Sequence, residues 1–350
     1  MLRSLQAGRA IAAIMVAAFH LSIQMSLARY GGQSVFSEYS RYGDFGVDFF
    51  FVLSGFIILF AHFEDIDKPG RWVNYAYRRL VRLFPIYWFY TALFVLMLAI
   101  FGGTDAKIPV SVGDWLTALT LIRFTAGPPP LPIAWTLFYE LAFYAVFSIL
   151  IINRRIGLLT LGVFMAVAAS AYQFPTDDAQ TPFKVYTAAF NLYFLLGMCA
   201  YLLYRRGGKG RGELMSGVIL TSAGLAIVSV PRQIESMLLV LGFSLLLAGI
   251  TKFERRGALA VPSFLKALGD ASYTIYLTHV SIEGLLLKIA MKIQLYRYLG
   301  FEWAFFVVLA GTIAIGYVTY YVIERPLLEA LRRRTALLPF RGNALKTGKI

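Results

Sequence analysis

Apolar residues along this chain fall into blocks of about 20, separated by short stretches rich in arginine, lysine, glycine and proline. Coiled at about 1.5 Å per residue, a block of that length crosses a hydrocarbon core of about 30 Å. Ten blocks can be marked, at about 9–27, 44–62, 84–101, 132–152, 156–173, 183–204, 213–230, 234–251, 271–291 and 302–324. The pattern predicts an all-α polytopic membrane protein with about ten transmembrane helices. One membrane domain is expected over residues 1–330, followed by a basic tail over 331–350. The basic start of the first block also fits a cleavable signal peptide. Many spans follow it and no clear small-residue cleavage site does, so it reads as a retained helix.

Composition agrees with the pattern and adds a direction. The 350 residues are 59% hydrophobic and 15% charged, with a mean hydropathy of +0.67, where a soluble domain carries about 25% charged residues. One cysteine, Cys199, excludes an internal disulfide. The net charge of +14 is accounted for by positive loops, which argues against a nucleic-acid partner. With the N-terminus in the cytoplasm, 24 of the 33 lysines and arginines fall on cytoplasmic segments. The positive-inside rule and an even span count then place both termini in the cytoplasm. The expected location is a bacterial plasma (inner) membrane, with the tail resting on an anionic lipid surface.

Five ionisable groups stand inside the apolar blocks: Arg9, His20, Asp48, Glu140 and His279. Such groups are costly in a bilayer and mark function by default. Arg9 and His20 are eleven residues apart, three helical turns plus about 20°, so they share a face about 16 Å apart. The plain alternative is a snorkelling Arg9 and a structurally satisfied His20. Counted from the outer end of each block, His20, Asp48, Ser54, Glu140 and His279 lie about 6–18 Å deep, compatible with one buried polar site. In GVDFFFVLSGF, Asp48 and Gly55 share a face, leaving a bare patch for another helix or a ligand, while Ser54 points elsewhere. Ser272, Tyr276, His279 and Glu283 form a stripe that should face the bundle interior, as a site or as an interhelical seam. Between the second and third blocks, NYAYRRLVRLFPIYW carries Arg78, Arg79 and Arg82. This cationic patch suits phosphates, or simple anchoring at the membrane surface. No metal-ligand spacing, P-loop or G-x-S-x-G elbow occurs.

The segments RAIAAIMVAAFH, GVDFFFVLSGFII, RRLVRLFP, WTLFYE, SYTIYLTH and the late ERP, in this order, resemble the acyltransferase-3 family of integral membrane acyltransferases. The likeness runs from Leu5 to about Pro326 and is greatest to the exopolysaccharide O-acetyltransferase branch. It implies a ten-helix domain that takes an acyl group, usually acetyl, from cytoplasmic acyl-CoA and passes it to a sugar hydroxyl. The family's arginine-x10-histidine pattern falls on Arg9 and His20, which makes His20 catalytic and Arg9 part of the donor side. Its arginine-rich element before a proline falls on Arg79, Arg82 and Pro85, with Arg78 beside them. Glu140, Ser54 and His279 match signature positions. The expectation is therefore His20 and Glu140 as catalytic residues, Asp48, Ser54, Tyr276 and His279 as supporting ones, and the four arginines as holders of acetyl-CoA. The acceptor is expected to be a polysaccharide or lipid-linked saccharide. No metal is expected.

Histidine, with a pKa near 6.5, can take a proton from a sugar hydroxyl at neutral pH. It can instead carry the acyl group covalently, and a carboxylate such as Glu140 or Asp48 can orient it. A transporter of lipid-linked sugar also suits buried His, Asp and Glu, but no two halves of the chain correspond. A scaffold needs neither His20 nor Glu140 in the membrane. The charge distribution carries a test of its own. Cysteine labelling from outside the cell should reach a probe near Gly127 and miss one near Gly208; the opposite pattern reverses the orientation.

Overall fold

Ten helices of 16 residues or more carry the apolar blocks among the described residues. They are α1 (Arg3–Ser26), α2 (Phe45–His62), α3 (Trp72–Phe101), α4 (Trp135–Ile152), α5 (Arg154–Ala171), α6 (Phe190–Arg205), α7 (Arg211–Ala226), α8 (Arg232–Arg255), α9 (Ser272–Lys292) and α10 (Leu295–Thr319). The computed structural model describes residues 2–101, 108–174, 181–227 and 231–336. Apart from a single bridge between Gln173 and Ala188, the described residues contain no strand. Eight helical segments are long and apolar enough to cross a membrane. The expected sixth and seventh spans, α6 and α7, are 16 residues each and fall below that length. Most of the expected tail lies outside the described residues; a helix at Arg325–Ala336 leads into it.

Of the boundaries that differ from the hydrophobic pattern, two do so for the same reason. Helix α1 begins at Arg3, not near Arg9, and α3 begins at Trp72, not near Phe84. Helix formation ignores polarity, and arginine is a good helix former, so RRLVR belongs to the span and not to a loop before it. Arg9 is consequently 8% exposed inside the bundle, not snorkelling at its mouth. Pro85 sits inside α3, where it cannot donate to the preceding turn. The Tyr273 hydroxyl donates to the nearby Leu83 carbonyl at 2.9 Å.

Helix α1 is the central post. It touches α2, α8, α9, α10 and the short helix Ser263–Asp270, and its buried alanines at 10, 12, 13 and 17 let those neighbours come close. Its first turn is held by Glu254 at the end of α8, which accepts from the Arg3 and Ser4 N–H groups at 2.6 and 2.8 Å. That carboxylate satisfies orphan amides and complements the positive helix end. Lys252 pairs with Glu213 and Arg205 with Glu64 at the same end. The basic loops thus converge on one face of the bundle.

The bare patch on α2 is filled by α6. A Cβ added to Gly55 would strike the Phe194 backbone, and one added to Gly197 the Val52 carbonyl. The two glycines let the backbones meet, and Phe51, Phe143 and Phe194 close the aromatic core around them. Neither helix can retreat without opening that core. Gly55→Leu or Gly197→Leu should therefore destabilise the detergent-solubilised protein by more than the roughly 1–3 kcal/mol typical of overpacking, seen as a lower thermal midpoint. Gly162→Ala, which meets nothing within 4 Å, should leave it unchanged or raise it slightly, since alanine is the better helix former. Equal midpoints for all three variants would show that the contact is not tight.

Candidate active site

One cavity of about 820 Å³, counting its mouth, is lined by α1, α2, α3, α4 and α9. Arg9, Arg79 and Arg82 meet Ser54, Glu140 and Tyr276 on its walls. Arg9 Nε donates to Ser272 Oγ at 2.9 Å, and the Tyr144 hydroxyl donates to Glu140. The Arg79 guanidinium lies 5.5 Å from the Tyr144 ring and 5.9 Å from the Tyr75 ring, and its Nε has no hydrogen-bond partner. Tyr276 meets Thr136 across the cavity, with the two hydroxyl oxygens 3.0 Å apart. Three arginines against one carboxylate on the walls leave a positive site, suited to an anion.

Helices α1 and α9 run parallel, and their polar residues meet in sequence order. Arg9 contacts Ser272, His20 contacts His279, and Gln24 donates to Glu283 at 2.7 Å. The stripe expected on α9 therefore faces the interior and forms a seam with α1. Hydrogen-bond geometry assigns the histidine protons. His279 Nδ1 lies 2.7 Å from the Tyr276 carbonyl, so it carries the hydrogen and its Nε2 offers a lone pair. His20 Nδ1 lies 2.9 Å from the Val16 carbonyl and 3.3 Å from that Nε2, so it too is a donor. His20 Nε2 is left bare, in the state a base requires.

The expected residues thus separate into groups instead of one site. Arg9, Ser54, Arg79, Arg82, Glu140 and Tyr276 share the cavity. His20 and His279 form a pair further along the seam. Asp48 is 1% exposed and lines neither; it faces away from Ser54, and its Oδ2 is unpartnered. Arg78 is exposed and donates to Asn74 at 3.2 Å, because one helical step of 100° turns it away from Arg79. Neither Glu140 nor Asp48 is hydrogen-bonded to His20; His279 stands where an orienting carboxylate was expected. The carboxylate whose charge reaches His20 is Asp44, itself paired with Arg232.

One buried group of the cavity's surroundings was not assigned from sequence. Glu324, in the ERP segment, closes a π-helical stretch at Tyr320–Glu324 and is 5% exposed. It accepts from Thr274 Oγ1 at 2.5 Å, and its charge acts on Arg9 and Arg82. A carboxylate in an otherwise apolar helix was the available signal. Single-turn π stretches frequently mark functional positions. Among the described residues, no group of three His, Cys, Asp or Glu could hold a metal ion.

Comparison with known proteins places the chain in a family. Residues 2–321 match an acyltransferase domain. The chain is 29% identical over 313 residues to the exopolysaccharide production protein ExoZ of Rhizobium meliloti (strain 1021), covering 86% of this chain and 95% of that one. It is 24% identical over 327 residues to nodulation protein 10 of Rhizobium leguminosarum bv. viciae, covering 84% and 83%. It is 24% identical over 371 aligned positions to the acyltransferase MdmB of Streptomyces mycarofaciens, covering 95% and 93%. No solved structure matches. With one domain match running from α1 through α10, the chain belongs to the acyltransferase-3 family of membrane acyltransferases.

Proposed function

We propose that this acyltransferase moves an acyl group, acetyl in the first instance, from acyl-CoA at its basic, cytoplasmic face to a hydroxyl of an exopolysaccharide sugar. The observation that carries the reading is the α1–α9 seam. It joins a cavity walled by three arginines to a histidine whose Nε2 is free. The eleven residues from Arg9 to His20 span about 16 Å, half of a hydrocarbon core. Phosphates of the donor suit Arg9, Arg79 and Arg82, and the flexible arm of coenzyme A then leads its thioester along the seam.

In the proposed step, His20 Nε2 takes the proton of the sugar hydroxyl as its oxygen attacks the thioester carbonyl. The tetrahedral adduct collapses, the carbon–sulfur bond breaks, and the thiolate takes the proton back from His20. Atoms balance as sugar ester plus coenzyme A. The charged imidazolium forms only during the reaction, and His279 Nε2 can then accept its Nδ1–H more strongly. The relatives support the substrate class through the printed name of one of them, an exopolysaccharide production protein.

Two measurements test the roles. His20→Ala and His20→Gln should each lower acetyl transfer by at least about 10²–10⁴-fold, the usual contribution of a general base, while coenzyme A binding persists. Near-normal transfer in folded His20→Gln returns His20 to a structural role. His62 is a poor control for this series, since it is 4% exposed and contacts Asp65 at 2.9 Å. For the donor, Arg9→Ala, or Arg79→Ala with Arg82→Ala, should weaken coenzyme A binding by about 10-fold or more, from charge-assisted bonds of about 1.5–3 kcal/mol each. Arg78→Ala should not. Unchanged affinity in the first two variants makes the arginines anchors only. Acetyl-CoA turnover by the purified wild type separates an enzyme from a transporter or scaffold.

A further inference from the structure

Arg123 lies between α3 and α4, in the segment LIRFTAGPPPLP, and is 4% exposed. Its Nη1 donates to the Gly127 carbonyl at 2.6 Å, and its guanidinium lies 4.1 Å from the centre of the Phe138 ring. Nε and Nη2 are buried with no partner. These two nitrogens form one edge of the planar fork, the edge that takes a carboxylate or a phosphate with two parallel bonds. An arginine buried on an aromatic ring with that edge empty is expensive to keep, because a desolvated charge needs a counter-charge. Burial pulls the guanidinium below the ordinary arginine range, against the favourable influence of Tyr139, Tyr186 and Tyr87.

A third donor is at hand. The Tyr186 hydroxyl accepts from the Arg123 backbone N–H at 3.3 Å and keeps its own hydrogen to give. The surrounding loop is fixed independently of the guanidinium. Thr117 Oγ1 accepts from the Phe124 and Thr125 N–H groups, each at 3.1 Å, and Thr125 Oγ1 donates to Asp114 at 2.6 Å. The Thr125 and Ser111 hydroxyls in turn hold the Asp114 carboxyl below the usual carboxylate range. Stapling the loop therefore does not account for the empty edge of Arg123.

The position relates this group to the reaction. Phe138 is two residues from Thr136 on the first turn of α4, about 200° around the helix. Thr136 meets the Tyr276 hydroxyl, and the Tyr276 ring lies 5.9 Å from that of His279. Arg123 thus stands across α4 from the cavity, at the end of the bundle opposite the basic loops. We propose that Arg123 binds an oxyanion, carboxylate or phosphate, carried by the acceptor saccharide away from the hydroxyl that is acylated. This rests on the transferase reading for the identity of the acceptor. The anion would enter past Thr125–Pro128, the half-buried stretch that covers the guanidinium.

The test is calorimetric titration of the purified full chain, with coenzyme A present so that the arginines of the cavity are occupied. The probes are methyl glucuronide for a sugar carboxylate, inorganic diphosphate for a lipid-linked diphosphate, and methyl glucoside as the neutral control. At least one anion should bind the wild type and lose about 10-fold or more in affinity in Arg123→Gln, as expected for losing charge-assisted bonds. Arg123→Lys, which keeps the charge and loses the fork, should lose affinity in the same direction and decides the matter if the glutamine variant does not fold. Arg79→Ala with Arg82→Ala should leave the anion's affinity unaltered. Absence of binding by both anions to the wild type overturns the proposal, as does equal affinity in the wild type and the Arg123 variants. Unchanged coenzyme A affinity in Arg79→Ala with Arg82→Ala, with anion binding lost only in the Arg123 variants, overturns the donor assignment alone.

Discussion

The Arg9–Ser272 hydrogen bond holds a guanidinium inside a helical bundle, where an unsatisfied cation is untenable. Satisfying it demands more than one partner. Glu140 on α4 and Glu324 beyond α10 supply counter-charge, and Arg82 on α3 opposes it. Each of those side chains comes from a different helix. The need to accommodate one charge therefore fixes how α1, α3, α4, α9 and the π-helical stretch approach one another. The cavity is the space that remains between these polar ends.

In the proposed function the seam between α1 and α9 separates two tasks along one line. At the basic end, fixed cations can hold an anionic head without touching the reacting atoms. Further along, the two imidazoles sit 3.3 Å apart, where a proton can be taken up and returned. In the proposed reaction His20 needs no carboxylate beside it, because the Val16 carbonyl and His279 Nε2 together hold its hydrogen on Nδ1. A neutral pair is also easier to keep in an apolar bundle than an ion pair. The seam's one arginine, Arg9, stays at the cavity end, and its middle is carried by the two imidazoles.

The sequence carried the helices and the interior direction of the α9 stripe, because periodicity and apolar length report on burial directly. Arg9 and His20 were legible as a same-face pair, since one continuous helix relates them. What failed depended on neighbours. Hydropathy stops at charged residues, so it could not show that α1 and α3 continue through Arg9 and Arg82. Depth alone placed Asp48 and Glu140 with His20, but depth says nothing about azimuth, and Asp48 looks away from the cavity. Arg78 and Arg79 are adjacent in the chain, yet only Arg79 reaches the cavity. Glu324 was visible as a lone carboxylate, yet only the π-helical stretch and the docking of α10 bring it against Arg9. Arg123 lay in an ordinary-looking loop, and its empty edge is a property of packing that no pattern of residue types encodes.

The parallel contact of α1 with α9 also has a bearing on biosynthesis. The partners Arg9 and Ser272 are separated by 263 positions. At a synthesis rate of about 5–20 residues per second, roughly 15–50 s pass between making the first helix and making its partner. During that interval α1 carries a cation and an imidazole without their partners on α9, Ser272 and His279. The contacts that seat Arg9 and His20 against α9 therefore form only when nearly the whole chain exists. Assembly is thus completed from the end of the chain back to its beginning, and a nascent protein truncated before α9 would leave its reactive centre unbuilt and its first helix poorly anchored.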